Sequence, residues 1–162
     1  MAEGIVQGII NMFTAGLYHL FEQQLLYLYR EQLLLEFSYE KPPDCLLTVE
    51  KVKERLIKDY KIDISTFSSW SKIEELRLVA NTVKHADGGS CEKLKQKRED
   101  FFIDPRMQDY PFPSTIDTLS WPVYQPLAGE RLYIRPEEFT KYVEVIKQFF
   151  EELVQDEINL SA

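Results

Sequence analysis

The stretch Ile73-Glu74-Glu75-Leu76-Arg77-Leu78-Val79-Ala80-Asn81-Thr82-Val83-Lys84-His85 decides how the rest of the chain is read. At about 100° per residue, Ile73, Leu76, Val79, Ala80 and Val83 fall within about 120° of one another, the pattern of a helix with one buried face. Beside that face, Lys84, Arg77, Asn81, Glu74 and His85 fill a polar stripe about 100° wide, at the margin of the core, where side chains are partly desolvated. Glu75 and Thr82 fall on the opposite side, the expected solvent face. Ser71 followed by Glu74 opens this third helix as a capping box, and Gly88-Gly89 closes it.

Working outward, no proline interrupts Gly4 to Phe37, and Ile5, Ile9, Met12/Phe13, Leu17, Leu20/Phe21, Leu25, Leu28 and Leu35 recur with a 3.6 period. This predicts one long helix of roughly 50 Å, with one end projecting or packed on a second copy. Pro42-Pro43-Asp44 ends it. Thr48 caps a second helix through Val49, Val52, Leu56 and Tyr60, and Lys61 to Ser69 reads as a loop. Ser90 starts a short fourth helix with Cys91, Leu94, Arg98 and Phe101 at helical spacing. Pro136 opens the last, whose apolar face is Phe139, Tyr142, Val143, Ile146, Phe149, Phe150 and Leu153.

Between Asp104 and Pro136 lie six of the eight prolines, with Tyr110, Phe112, Trp121 and Tyr124. That segment cannot be helix and is too aromatic for a solvated linker, so it is expected to wrap over the bundle, with a short extended piece at Arg131 to Ile134. The pattern as a whole predicts an all-α fold, one helical domain over residues 1–162 in which residues 104–135 form a Pro-rich irregular cover.

The 162 residues carry a formal charge of −8, which excludes a protein that coats nucleic acid through bulk charge. The charge is uneven: residues 137 to 157 hold seven acids and two bases, placed on the outer face of the last helix. Cys45 and Cys91 form no metal-ligand pattern, so no metal or cofactor is expected. The apolar stretch Gly4 to Tyr18 contains Gln7 and Asn11 and follows Glu3, unlike a signal peptide, and it is too short to span a bilayer. The expectation is a cytoplasmic protein without a membrane anchor.

The stripe carries chemistry. His85 can exchange a proton near neutral pH, Arg77 and Lys84 can stabilise developing phosphorane charge, and Asn81 can orient a phosphate oxygen. With an RNA 2′-hydroxyl as nucleophile, such a cleft needs no metal. The densest basic run, Lys93, Lys95, Lys97 and Arg98, lies just past His85 and is the natural RNA-phosphate contact, although Glu99 and Asp100 follow it. His19 and Glu22, i to i+3 on the first helix, could face the stripe as a His/Glu acid–base pair; the structural alternatives are a satisfied intra-bundle hydrogen bond for these two, a helix-end histidine on the dipole for His85, and an ion pair with Glu74 for Arg77.

The segment Leu76 to His85, between an amphipathic face and a glycine stop, resembles the signature helix of HEPN proteins. These are α-helical bundles of toxin–antitoxin pairs, phage defence and CRISPR-associated ribonucleases. The likeness extends loosely to Gly16–Glu22 and to Phe139–Leu153, and does not cover residues 104–136. In catalytic members four to six residues separate an Arg from the following His, the Arg is followed by a polar residue, and two subunits join their motifs. Asn81 and His85 match those places, but Ala80 stands where the Arg belongs, and Asp87 stands where some members carry a modifiable tyrosine. The resemblance implies a homodimer and a metal-independent endoribonuclease of toxin or defence type, with His85, Arg77, Asn81 and Lys84 as its site and a cognate antitoxin or defence protein as partner. The alternative it implies is a non-catalytic HEPN-like module in which the same stripe binds a protein or small ligand.

Overall fold

A computed structural model, described for residues 2–30, 48–107 and 118–161, shows an all-α chain. Its helices are α1 (Ala2–Leu28), α2 (Val49–Arg55), α3 (Trp70–His85), α4 (Gly89–Lys97) and α5 (Pro136–Ser161), and the described residues contain no strand. None of the described helices is long and apolar enough to cross a membrane. The chain forms two compact units, Met1–Tyr18 with Lys72–Glu144, and His19–Ser71 with Val145–Ala162.

In the first unit, the N-terminal half of α1 is inside out. Its buried side carries Gly8, Asn11, Thr14, Ala15 and Tyr18, whereas Ile5, Val6, Ile9, Met12 and Phe13 are 44–60% exposed. The 3.6-residue period is real, but the face it marks points outward, because the inner side is taken up by backbone. The described part of the Pro-rich strap, residues 118–135, lies against that inner side. Asn11 donates to the carbonyls of Pro126 (2.7 Å) and Leu132 (2.9 Å), and Gln7 donates to that of Ile134 (2.9 Å). A Cβ at Gly8 would stand 2.0 Å from the Leu127 carbonyl oxygen, so only glycine admits the strap there. The buried side of α1 thus satisfies strap carbonyls that proline-rich backbone cannot pair in a ladder.

The strap is as irregular as its prolines require, with 3-10 turns at Thr118–Ser120 and Pro126–Ala128 and with Val123, Pro126, Leu132 and Ile134 buried. Of the expected extended piece, the described main-chain pairing is one hydrogen bond, Tyr133 N–H to the Phe101 carbonyl at 2.7 Å. It begins at Arg131 in the left-handed region (φ 63°), where the guanidinium stacks 4.0 Å over Trp121. Tyr110 and Phe112 lie outside the described residues.

In the second unit, Phe149 of α5 is fully buried and ringed by aromatics. Phe21 meets it edge-on at 5.0 Å, and Phe150, Phe67 and Trp70 follow at 5.4, 5.5 and 6.2 Å. The α-helical part of α1 stops at Leu28 and continues as a π turn through Tyr29 and Arg30, and the continuation expected to Phe37, with Pro42-Pro43-Asp44, lies outside the described residues. Thr48 caps α2 as predicted by accepting from Lys51 N–H. A π turn, Leu56–Tyr60, extends α2 and ends at Lys61 in the left-handed region (φ 60°). The loop expected after it is confirmed, and it buries Ile62 and Ile64.

Both expected ends of α3 shift, and α4 stops at Lys97, short of Arg98 and Phe101. Helix α3 starts at Trp70, so Ser71 lies inside it and Glu74 does not cap it. Its first turn is held instead by Glu152 of α5, which accepts from the Ser69 N–H (3.3 Å) and from the hydroxyls of Ser68 and Ser69. At the other end the helix stops at His85 because Ala86 turns left-handed (φ 59°), with its N–H on the Thr82 carbonyl. Gly88-Gly89 instead lead into α4.

Candidate functional site

Helix α3 is buried over a wider arc than its sequence suggests. Ile73, Leu76, Val79, Ala80 and Val83 are all buried as predicted, but so are Glu75, Leu78 and Thr82 on the side expected to face solvent. Buried positions cover about 220° of the helix, and Glu74, Arg77, Asn81, Lys84 and His85 fill an arc of about 100° that is half-buried to exposed. The stripe is therefore the solvent side of the helix and not a margin between core and solvent.

Within it, Arg77 grips Glu74 at 2.9 to 3.3 Å through Nε and one terminal nitrogen. Lys84 and His85 are exposed and Asn81 is half-buried, and no side-chain hydrogen bond or ion pair joins any of the three to another described residue. Ala80 is fully buried, so the place where a HEPN-type arginine would stand has no room for one and points into the core. His19 and Glu22 belong to the second unit, where they pair with each other at 2.9 Å.

The basic run divides. Lys93 and Lys97 are exposed on α4. Lys95 donates to the Trp121 carbonyl at 3.0 Å and lies 3.9 Å from Asp87. Arg98 is not available to a phosphate: its side chain is 15% exposed and ends between three carboxylates, Glu75 and Glu138 at 2.8 Å from one nitrogen and Asp100 at 2.8 Å from the other. Its planar fork suits this many acceptors, and it also lies 3.8 Å over the Phe101 ring.

That cluster was missed in the sequence. Tyr142 donates to Glu75 at 2.7 Å, Lys72 reaches both Glu75 oxygens at 2.9 and 3.0 Å, and Lys141 reaches Glu138 at 2.7 Å. Burial pushes the Glu75 and Glu138 carboxyls up, but the hydrogen bonds from their donors outweigh it and hold both below the usual carboxylate range. Hydrogen bonds from Arg98 lower Asp100 as well, while burial and then Glu75 raise the Tyr142 phenol. The one available signal was Glu75 itself, a charge set among Leu76, Leu78, Val79 and Thr82 around the helix. These carboxylates and the phenol thus keep their ordinary neutral-pH charge states, and their hydrogen bonds tie α3 to the start of α5 through Arg98. Glu138 and Glu152 also leave the outer acidic face assigned to the last helix, since one is buried and the other holds α3.

Cys91 is buried and its thiol is pushed up to about 11 by burial, which makes it inert at neutral pH. The described residues contain no His/Cys/Asp/Glu group fit to hold a metal ion. The second unit has an open apolar groove of about 780 Å³ lined by Leu20, Phe21, Tyr27, Ile146, Phe150 and Val154 among others, and the first has a small cleft of about 200 Å³ around Gln7, Arg106 and Tyr133. Neither includes a residue of the α3 stripe.

Compared with protein-family models, with curated proteins and with solved structures, the chain matches none.

Proposed function

We propose that this chain is a non-catalytic, HEPN-like helical module that docks a partner protein along the exposed stripe of α3. The observation that carries the reading is the state of the stripe. Arg77 is committed to Glu74 and Ala80 is buried, while Asn81, Lys84 and His85 present hydrogen-bonding groups from a rigid helix. A helix held by packing over most of its circumference positions such groups well. A partner suited to it brings carboxylates to Lys84 and polar groups to Asn81 and His85.

A second reading, a metal-independent endoribonuclease, is favoured by the exposure of His85 one turn after Asn81 and beside Lys84. It lacks a free cation at the position of Ala80 to neutralise transition-state charge. One experiment separates the two: mixed RNA is incubated in EDTA with the wild-type chain and with His85→Ala. The docking reading expects the same background from both. Cleavage that survives EDTA and disappears in His85→Ala replaces it with the ribonuclease. In parallel, a photo-crosslinking residue at position 81 is expected to give one discrete protein adduct in cells, lost on Lys84→Glu.

A further inference from the structure

The outward side of α1 calls for a partner of its own. Ile5, Ile9, Met12 and Gly16 are spaced by four, three and four residues, and on an ideal helix they share one line within about 60°. Val6 and Phe13 flank that line. The inner side of the same turns holds small and polar residues clamped to strap carbonyls, so the helix cannot roll to hide its large side chains.

We propose that this face is a homodimer interface, on which α1 of a second copy packs antiparallel with Ile5 over Gly16 and Ile9 beside Met12. Three observations select a second copy. First, Gly4 to Tyr18 contains no charged residue, in a chain of net charge −8. Copies of so acidic a chain repel one another over most of their surface, and this face is where they can meet without opposing like charges.

Second, the face complements itself. A two-fold axis between Ile9 and Met12 sets each of these against the other, and it sets the bulk of Ile5 against Gly16, which is exposed and whose Cβ position meets nothing within 4 Å. Third, the area suffices. Each of the five large side chains leaves on the order of 100 Å² uncovered, so two copies hide up to about 1,000 Å² from these residues, and neighbouring positions add to reach the size of a specific interface. A membrane surface fits less well, since α1 itself carries no Lys or Arg and interfacial helices carry such residues on their polar side. The interface is independent of what the α3 stripe binds.

The full chain is tested by sedimentation equilibrium between about 1 and 100 μM, a range that brackets the affinity of interfaces this small. A dimer is expected, and Ile9→Glu is expected to raise its dissociation constant by about 30-fold or more with the far-UV circular dichroism unchanged, as Ile9 is exposed. Register is read by oxidative crosslinking in a Cys45→Ser background: Ile5→Cys mixed with Gly16→Cys gives a covalent dimer, and neither variant does so alone. A wild-type chain that stays monomeric throughout, an Ile9→Glu dimer as tight as wild type, or efficient self-crosslinking of Ile5→Cys overturns the proposal. So does a monomer that co-sediments with neutral phosphatidylcholine vesicles and is released by Ile9→Glu.

Discussion

Replacing Arg98 by methionine removes the guanidinium, and with it the stacking on Phe101, and keeps most of the aliphatic stem. Glu75 and Glu138 each accept from the same Arg98 nitrogen at 2.8 Å, so their accepting oxygens lie within about 6 Å of each other. Two like charges at that distance repel by about 3 kcal/mol at an effective dielectric constant near 20. Lys72, Lys141 and Tyr142 remain in place and offset part of this, while stranding buried carboxylates costs about 3–5 kcal/mol in comparable pairs. The expected loss is about 3 kcal/mol at pH 7, or about 10 °C in Tm.

The pH dependence fixes the cause. In the wild type both carboxyls are held below their ordinary values, so they stabilise the fold fully above the unfolded pKa of about 4.3, and that stability is lost as pH falls through the lower folded values. In Arg98→Met the mutual repulsion raises them, so the penalty is greatest at neutral pH and is relieved by protonation. Urea unfolding followed by circular dichroism at pH 7 and pH 4.5 should show the gap between variant and wild type shrinking on acidification. A gap under about 1 kcal/mol at pH 7, or one equal at both pH values, refutes the electrostatic account.

Tyr142→Phe removes one donor to Glu75 from a buried site, and a loss of about 2 kcal/mol of stability is expected in the same denaturation assay. Asn11→Leu leaves the Pro126 and Leu132 carbonyls without their donor, so a loss of about 3 kcal/mol and faster proteolysis within the strap should follow. Ala86→Gly relieves a left-handed alanine at the end of α3 and is expected to raise Tm, by about 0.5–1 kcal/mol of stability. In a Cys45→Ser background, Cys91 should resist Ellman's reagent in the native chain and react at the unfolding rate; immediate labelling at pH 8 would contradict its burial.

The helices were legible because periodicity and punctuation survive translation into structure: Thr48 capping α2, Pro136 opening α5, and the five apolar positions of α3 all lie where the sequence puts them. Orientation was less legible. Over the N-terminal half of α1 the apolar period marks the outer face, because the inner side is set by Gly8 and Asn11 meeting main chain, an interaction that hydropathy does not register. The far side of α3 was read as solvated because Glu75 is charged, yet its partner Arg98 lies 23 residues later and Glu138 a further 40. A local pattern contains no information on pairing at such separations. The stripe residues were identified correctly as neighbours, but their burial depended on how much of the opposite side other segments would cover.

The main-chain contact between α1 and the strap also reverses the usual map of what a helix tolerates. On most amphipathic helices the small and polar positions accept many replacements and the large apolar ones accept few. Here any side chain at Gly8 collides with the Leu127 oxygen, and a Cβ at Gly129 would stand 2.2 Å from the Gly4 oxygen. Ile5, Val6 and Phe13, by contrast, touch little of their own chain. A saturation screen scored on protease resistance, and so on folding alone, should find the glycines and Asn11 fixed and the isoleucines freely exchangeable.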